Sequence, residues 1–196
     1  MTTSKTTIQK IPGEKELNEL RDECYKISCD HGFHDEDLSG EHFLCLIISE
    51  LMEAVEADRK NRHANMQAFN ESLNGFTCQE VFEGYIKDTV EDELADAAIR
   101  ILDLAGVESV QIGLRVWSAN RQHSWQDEVT YFRKYFTFTE AIYFIVSHSL
   151  SQRGMYGHAL YFLFVLAEVV GFDLMDHIHL KMEYNKTRER LHGKRY

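Results

Sequence analysis

The sequence predicts an all-α bundle of about six helices. Three observations carry that expectation. Pro occurs once, at Pro12, and Gly only 11 times in 196 residues, too few for the turns of a sandwich or barrel. Apolar residues recur at steps of three and four, the period of a helix. Helix-start and helix-stop residues flank those stretches, and no stretch reads as a strand. A chain of this length buries a core without disulfide or metal staples, and residues 1–196 read as one domain with no repeat or linker.

Residues 1–12 read as a loose arm, rich in Thr, Ser and Lys, ending at the Pro12-Gly13 turn. Leu17, Leu20, Cys24 and Ile27 then line one face of a first helix over about 14–29. Residues 30–40 are polar and read as a loop. A second helix covers about 41–61, with Leu44, Ile47, Ile48, Leu51 and Val55 as its apolar stripe. Residues 61–76 read as a polar loop insertion. Thr77-x-x-Glu80 is a capping-box pattern and opens a third helix. That helix runs to Ala105, with Val90, Leu94, Ala97, Ile101 and Leu104 on one face and Gly106 at its end. Residues 107–117 read as a short continuation and 118–130 as a loop. Thr137-x-x-Glu140 opens the next helix, to about 151, and Arg153-Gly154 breaks it. An apolar helix over 156–170 stops at Gly171, and Asp173 caps a last helix to about Arg190.

The net charge of −11 disfavours stable binding to nucleic acid. The charge is uneven, because residues 181–196 hold six Lys and Arg against two Glu. A basic tail on an acidic body can hold an anion while the body holds cations. Cys24, Cys29, Cys45 and Cys78 form no C-x-x-C pair, and no secretory signal opens the chain, so reduced thiols and a cytoplasmic location are expected. The apolar runs at 141–146 and 159–170 are too short to span a bilayer, and Glu168 interrupts the second.

No P-loop, zincin or hydrolase-elbow pattern occurs. Asp176-x-x-His179 is half of a di-iron helix motif, but those sites pair Glu-x-x-His twice. The informative residues are carboxylates. Glu50 and Glu53 lie three apart on one helical face, and Glu93 and Asp96 repeat the arrangement on the third helix. Glu50 and Glu53 fall opposite the apolar stripe of their helix, and Glu93 at the border of its own. Two such helices packed antiparallel would converge four carboxylates on one point. Four like charges are costly without a cation, and Mg²⁺ suits hard oxygen ligands. On the last helix, Lys181, Asn185 and Arg188 continue the apolar stripe of Leu174, Ile178 and Met182. Lys and Arg neutralise phosphates, and Asn donates or accepts hydrogen bonds.

Glu50-x-x-Glu53, Glu93-x-x-Asp96 and Lys181-Met-Glu-Tyr-Asn185-Lys-Thr-Arg188, in that order, resemble the MazG-like all-α nucleoside triphosphate pyrophosphohydrolases, relatives of the dimeric dUTPases. Residues 86–97 are the closest local match, and the closing residues 192–196 resemble the ending of MazG-like proteins from phages and bacteria. The likeness covers about 40–105 and 173–196. It implies Mg²⁺-dependent (Mn²⁺ is the alternative) hydrolysis of a nucleoside triphosphate to monophosphate and pyrophosphate. It implies Glu50, Glu53, Glu93 and Asp96 as metal ligands, with Glu50 or Glu53 activating water. It implies Lys181, Asn185 and Arg188 as substrate contacts, and a homo-dimer or homo-tetramer. Arg59, Lys60 and Arg62 stand where they could also reach phosphates. The gap from Glu53 to Glu93 is longer than in compact members of that group, and its motifs do not explain the apolar helices of 137–170. Those helices either complete the bundle or form a subunit interface. The competing class is a non-catalytic helical interaction module with surface carboxylates.

Overall fold

The computed structural model describes residues 11–114, 124–151 and 154–195. The expected arm over 1–10, part of the 107–117 helix, part of the 118–130 loop and Arg153 lie outside them. Among the described residues every regular element is helical, in the order α1 (Glu14–Asp30), α2 (Gly40–Arg59), α3 (Met66–Ser72), α4 (Cys78–Tyr85), α5 (Val90–Val107), α6 (Trp125–Tyr135), α7 (Phe138–Ile145), α8 (Tyr156–Val170) and α9 (Leu174–Lys186). A π-helical turn, Val146–Leu150, follows α7, and a 3₁₀ turn, Arg190–Gly193, follows α9.

α5 is the hub, in contact with α1, α2, α8 and α9. Its sequence explains the position. Ala95, Ala97, Ala98 and Ala105 let neighbours approach closely, while Val90, Leu94, Ile101, Leu102 and Leu104 fill the space between them, and all are buried. Gly106 was expected to end the helix, but α5 runs through it to Val107. Its lack of a side chain serves packing instead. A Cβ there would lie 2.6 Å from the Cβ of Tyr25 on α1.

The third helix of the sequence reading is two helices. α4 ends at Tyr85, Asp88 takes a left-handed conformation (φ 59°), and the Thr89 hydroxyl accepts from the amide of Asp92 to start α5. The segment read as a loop insertion contains α3, capped by Asn65. α3 and α4 build a small second core of Phe69, Val81, Phe82 and Ile86, sealed by Tyr184 of α9 stacked on Phe82 at 4.4 Å. The segment read as a loop before residue 130 holds the start of α6, opened by a Ser124/Asp127 capping box. Residues 108–114, read as helical, are irregular.

α8 is almost wholly buried, so the apolar helices of 137–170 complete the bundle. Gly171 ends α8 at φ 105°, a conformation that Gly alone adopts freely. On α7, Ala141, Ile142 and Ile145 are buried, while Tyr143 stays 70% exposed. Among the described residues no single helix is long and apolar enough to cross a membrane.

Candidate metal centre

α2 and α5 form the most extensive helix pair in the bundle, and their contact sets the site. The face of α2 turned to α5 carries Phe43, Ile47, Glu50, Leu51, Ala54 and Ala57. It is rotated by roughly 80° from the stripe read off the sequence, counting roughly 100° per residue. Leu44, Ile48 and Val55 of that stripe are only partly buried. The small Ala54 and Ala57 set the contact face, because helices approach most closely over small residues. Glu50, expected opposite the apolar stripe, is therefore on the buried face and only 4% exposed. Glu53, one turn on, points to solvent.

The first turn of α5 is acidic throughout, with Glu91, Asp92 and Glu93 beside the positive helix end. Glu91 turns away and accepts from the amide of Ala64 at 2.8 Å and the ring of His63 at 2.9 Å, tying down the chain before α3. Glu93 faces α2. One carboxylate oxygen from each of Glu50, Glu53 and Glu93 lies within 4.8 Å of the others. A second set, Asp88, Asp92 and Glu93, meets the same limit and shares Glu93. Three of the four carboxylates singled out from the sequence thus converge. Asp96, the fourth, belongs to neither set and instead faces α9.

There the buried ammonium of Lys181 lies 2.9 Å from Asp92 and 2.8 Å from Asp96. Asn185 follows one turn later, also buried, and Arg188 is half-buried at the end of the row with its guanidinium 5.6 Å from the Tyr184 ring. Lys181 is therefore engaged by protein carboxylates, whereas Asn185 and Arg188 line an adjoining pocket. Arg100, whose Nε donates to Glu50, is part of that pocket's wall.

Titration follows from this placement. Burial, reinforced by the neighbouring Asp96 and Asp92, pushes Glu93 up to about 9. Burial raises Asp92 to about 6 despite Lys181. Burial and Asp96 raise Glu50, with Arg100 pulling it partly back. Burial also acts to raise Asp96, but Lys181 and Arg100 outweigh it and hold that carboxyl below its ordinary value. The centre therefore carries more negative charge than Lys181 and Arg100 neutralise, and the strain collects on Glu93. An all-oxygen set with a surplus of negative charge fits a hard divalent cation.

A cleft beside the triad is lined by Glu53, Glu56, Lys60, Arg62, Asp88 and Glu93. Lys60 and Arg62 stand at its wall, Lys60 3.1 Å from Glu56 and Arg62 3.8 Å from Asp88, and Arg59 also pairs with Glu56, at 2.9 Å. The sequence reading passed over Asp88, Asp92 and Arg100. A signal for Arg100 was present. Glu93, Asp96, Arg100 and Asp103 recur at steps of three and four along α5, a polar seam through a mostly buried helix. Asp176 and His179 of the half di-iron motif are exposed.

No family model, curated protein or solved structure matches the chain. The class that fold and site define is an all-α bundle with acidic clusters able to hold a divalent cation.

Proposed function

We propose that the chain is a MazG-like, divalent-metal-dependent nucleoside triphosphate pyrophosphohydrolase. The observation that supports this most is the convergence of Glu50, Glu53 and Glu93 from two helices onto one point. Glu50, Glu53 and Glu93 would hold Mg²⁺ or Mn²⁺, which when bound neutralises charge developing on the phosphates. Asp96, paired with Lys181 and outside both convergent sets, would stay ionised beside the cation rather than ligate it directly.

The remaining work falls to side chains of the chain itself. Glu50, whose carboxyl is raised by burial and held by Arg100, serves as the group that orients and deprotonates water for attack on the α-phosphorus. Lys60 and Arg62 on one side and Arg188 on the other border the place where a triphosphate would lie. Breaking the α–β link then releases pyrophosphate between cations that are already in position. Lys181, enclosed by Asp92 and Asp96, acts on the substrate through those carboxylates. The resemblance also implies a homo-dimer or homo-tetramer.

The test is pyrophosphate release from a panel of canonical and modified nucleoside triphosphates, with Mg²⁺ and with EDTA. Metal-dependent release from one of them, lost in Glu93→Gln, is the expected result. Silence in a folded protein that also fails to bind Mg²⁺ would leave the interaction module as the better reading.

A further inference from the structure

The pocket beside Arg100 has a chemistry that phosphates and a metal do not use. Its walls include the rings of Phe33 and Phe43 and the side chains of Leu38 and Ile99. With the residues after α9 lying over it, the space among its lining residues is about 50 Å³, so a ligand larger than a few waters enters only when that segment moves. Two polar groups of the lining have nothing to bond. Asn185 Oδ1 and His192 Nε2 are buried without a hydrogen-bond partner. Asn185 is only 7% exposed. A buried polar atom left unpaired costs about 1–3 kcal/mol, and two such atoms on side chains that line one pocket point to a ligand with a polar edge.

His192 reaches the pocket through unusual backbone. After α9 the chain lies back over the connection between α1 and α2, and Leu191 and His192 take left-handed conformations at φ 52° and 51°. Neither is Gly, and each such residue costs about 1–2 kcal/mol. Surface contacts hold the segment down. The amide of Leu191 donates to the His31 carbonyl at 2.9 Å, and Arg190 pairs with Asp35. The His192 ring stands edge-on to His31 and Phe33, at 5.2 and 5.0 Å. A strained segment fastened at its surface can lift and close again without disturbing the core.

We infer that residues 189–194 form a lid over the nucleoside end of the ligand, closing on a flat heterocycle seated against Phe33 and Phe43. His192 Nε2 and Asn185 Oδ1 meet the polar edge of the ring, and the Asn185 acceptor requires that edge to carry an N–H. The inference rests on the nucleotide reading above, because that reading supplies a ligand whose anionic end lies at the carboxylates and whose other end passes Arg100.

The test compares two probes in the presence of Mg²⁺. One is a set of α,β-imido nucleoside triphosphates bearing the standard bases. The other is inorganic tripolyphosphate, which has the phosphates and no base. The expected result is that an imido nucleotide slows amide hydrogen exchange over 189–194 and tripolyphosphate does not. His192→Ala and Asn185→Ala should each weaken nucleotide binding about fivefold to twentyfold and leave tripolyphosphate binding unchanged. Arg190→Ala, which unfastens the segment without touching the pocket, should speed nucleotide release. Equal binding of both probes, unaffected by His192→Ala, would overturn the lid and leave the phosphate and metal reading standing. Failure of both probes to bind would overturn the two together.

Discussion

Glu93 gathers the electrostatics of the site onto one carboxyl. Its value of about 9 lies above that of the unfolded chain, so between about 4.5 and 9 the folded state binds a proton that the unfolded state has lost. Metal-free protein is therefore expected to lose stability as pH rises across that window. Glu93→Gln should flatten the slope, measured by urea melts at several pH values in EDTA. Divalent metal displaces the same proton, so affinity should rise with pH through the same range in calorimetric titrations. Lys181 presents the opposite case. It is buried between Asp92 and Asp96, and Lys181→Met should cost about 3–5 kcal/mol because both carboxylates then lack their partner. Adding Asp92→Asn should return part of that loss, which a double-mutant cycle would read. The sequence reading assigned Lys181 to substrate. Its position on the apolar stripe was correctly seen as anomalous, but which anion it meets depends on helices ninety positions away in the chain.

At the scale of elements, the start of α5 matters most, because its cap points Glu93 at α2 and Asp92 at α9. Thr89→Ala removes the cap and should cost about 1 kcal/mol, with a larger loss of metal affinity as the first turn frays. Gly106→Ala should destabilise by about 1–3 kcal/mol, since the added methyl meets Tyr25 with no room to relax along the helix axis. Thermal melts of both variants check these values. The cap was legible in principle, since Thr89 is followed by three acidic residues. It was hidden by the apolar period, which continues in phase from α4 into α5 across the break. α3 and α6 escaped for a different reason. Each is short and buries only one or two side chains, Phe69 in α3 and Val129 and Phe132 in α6, so neither has a periodic stripe to read.

For the whole molecule, the balance between an acidic body and few buried cations would make a bound divalent metal a folding ligand. Divalent metal at about one hundred times its dissociation constant should add about 2.7 kcal/mol and raise Tm by about 5–10 °C. EDTA should reverse the shift, and Glu93→Gln should abolish it, with differential scanning fluorimetry as the readout. A bound metal would offset the repulsion between Glu93 and Glu50, which are held together by the α2–α5 contact.

The sequence by itself determined that the chain is helical, that α8 ends at Gly171 and α9 starts at Asp173, and that acidic pairs stand three apart on two helices. Those properties are local. They follow from periodicity, capping and side-chain spacing within a turn or two. Only the tertiary structure decided that α2 is rotated so that Ala54 and Ala57 join Ile47 and Leu51 on the buried face while Leu44, Ile48 and Val55 are half-exposed, and so buries Glu50. It also decided that Asp96 faces Lys181 while Glu93 faces Glu50, and that the tail lies over the aromatic pocket. The rotation of a helix about its axis is set by how closely its neighbour can approach. That depends on the small residues of both partners together, and a stripe read along one strand of sequence does not contain it.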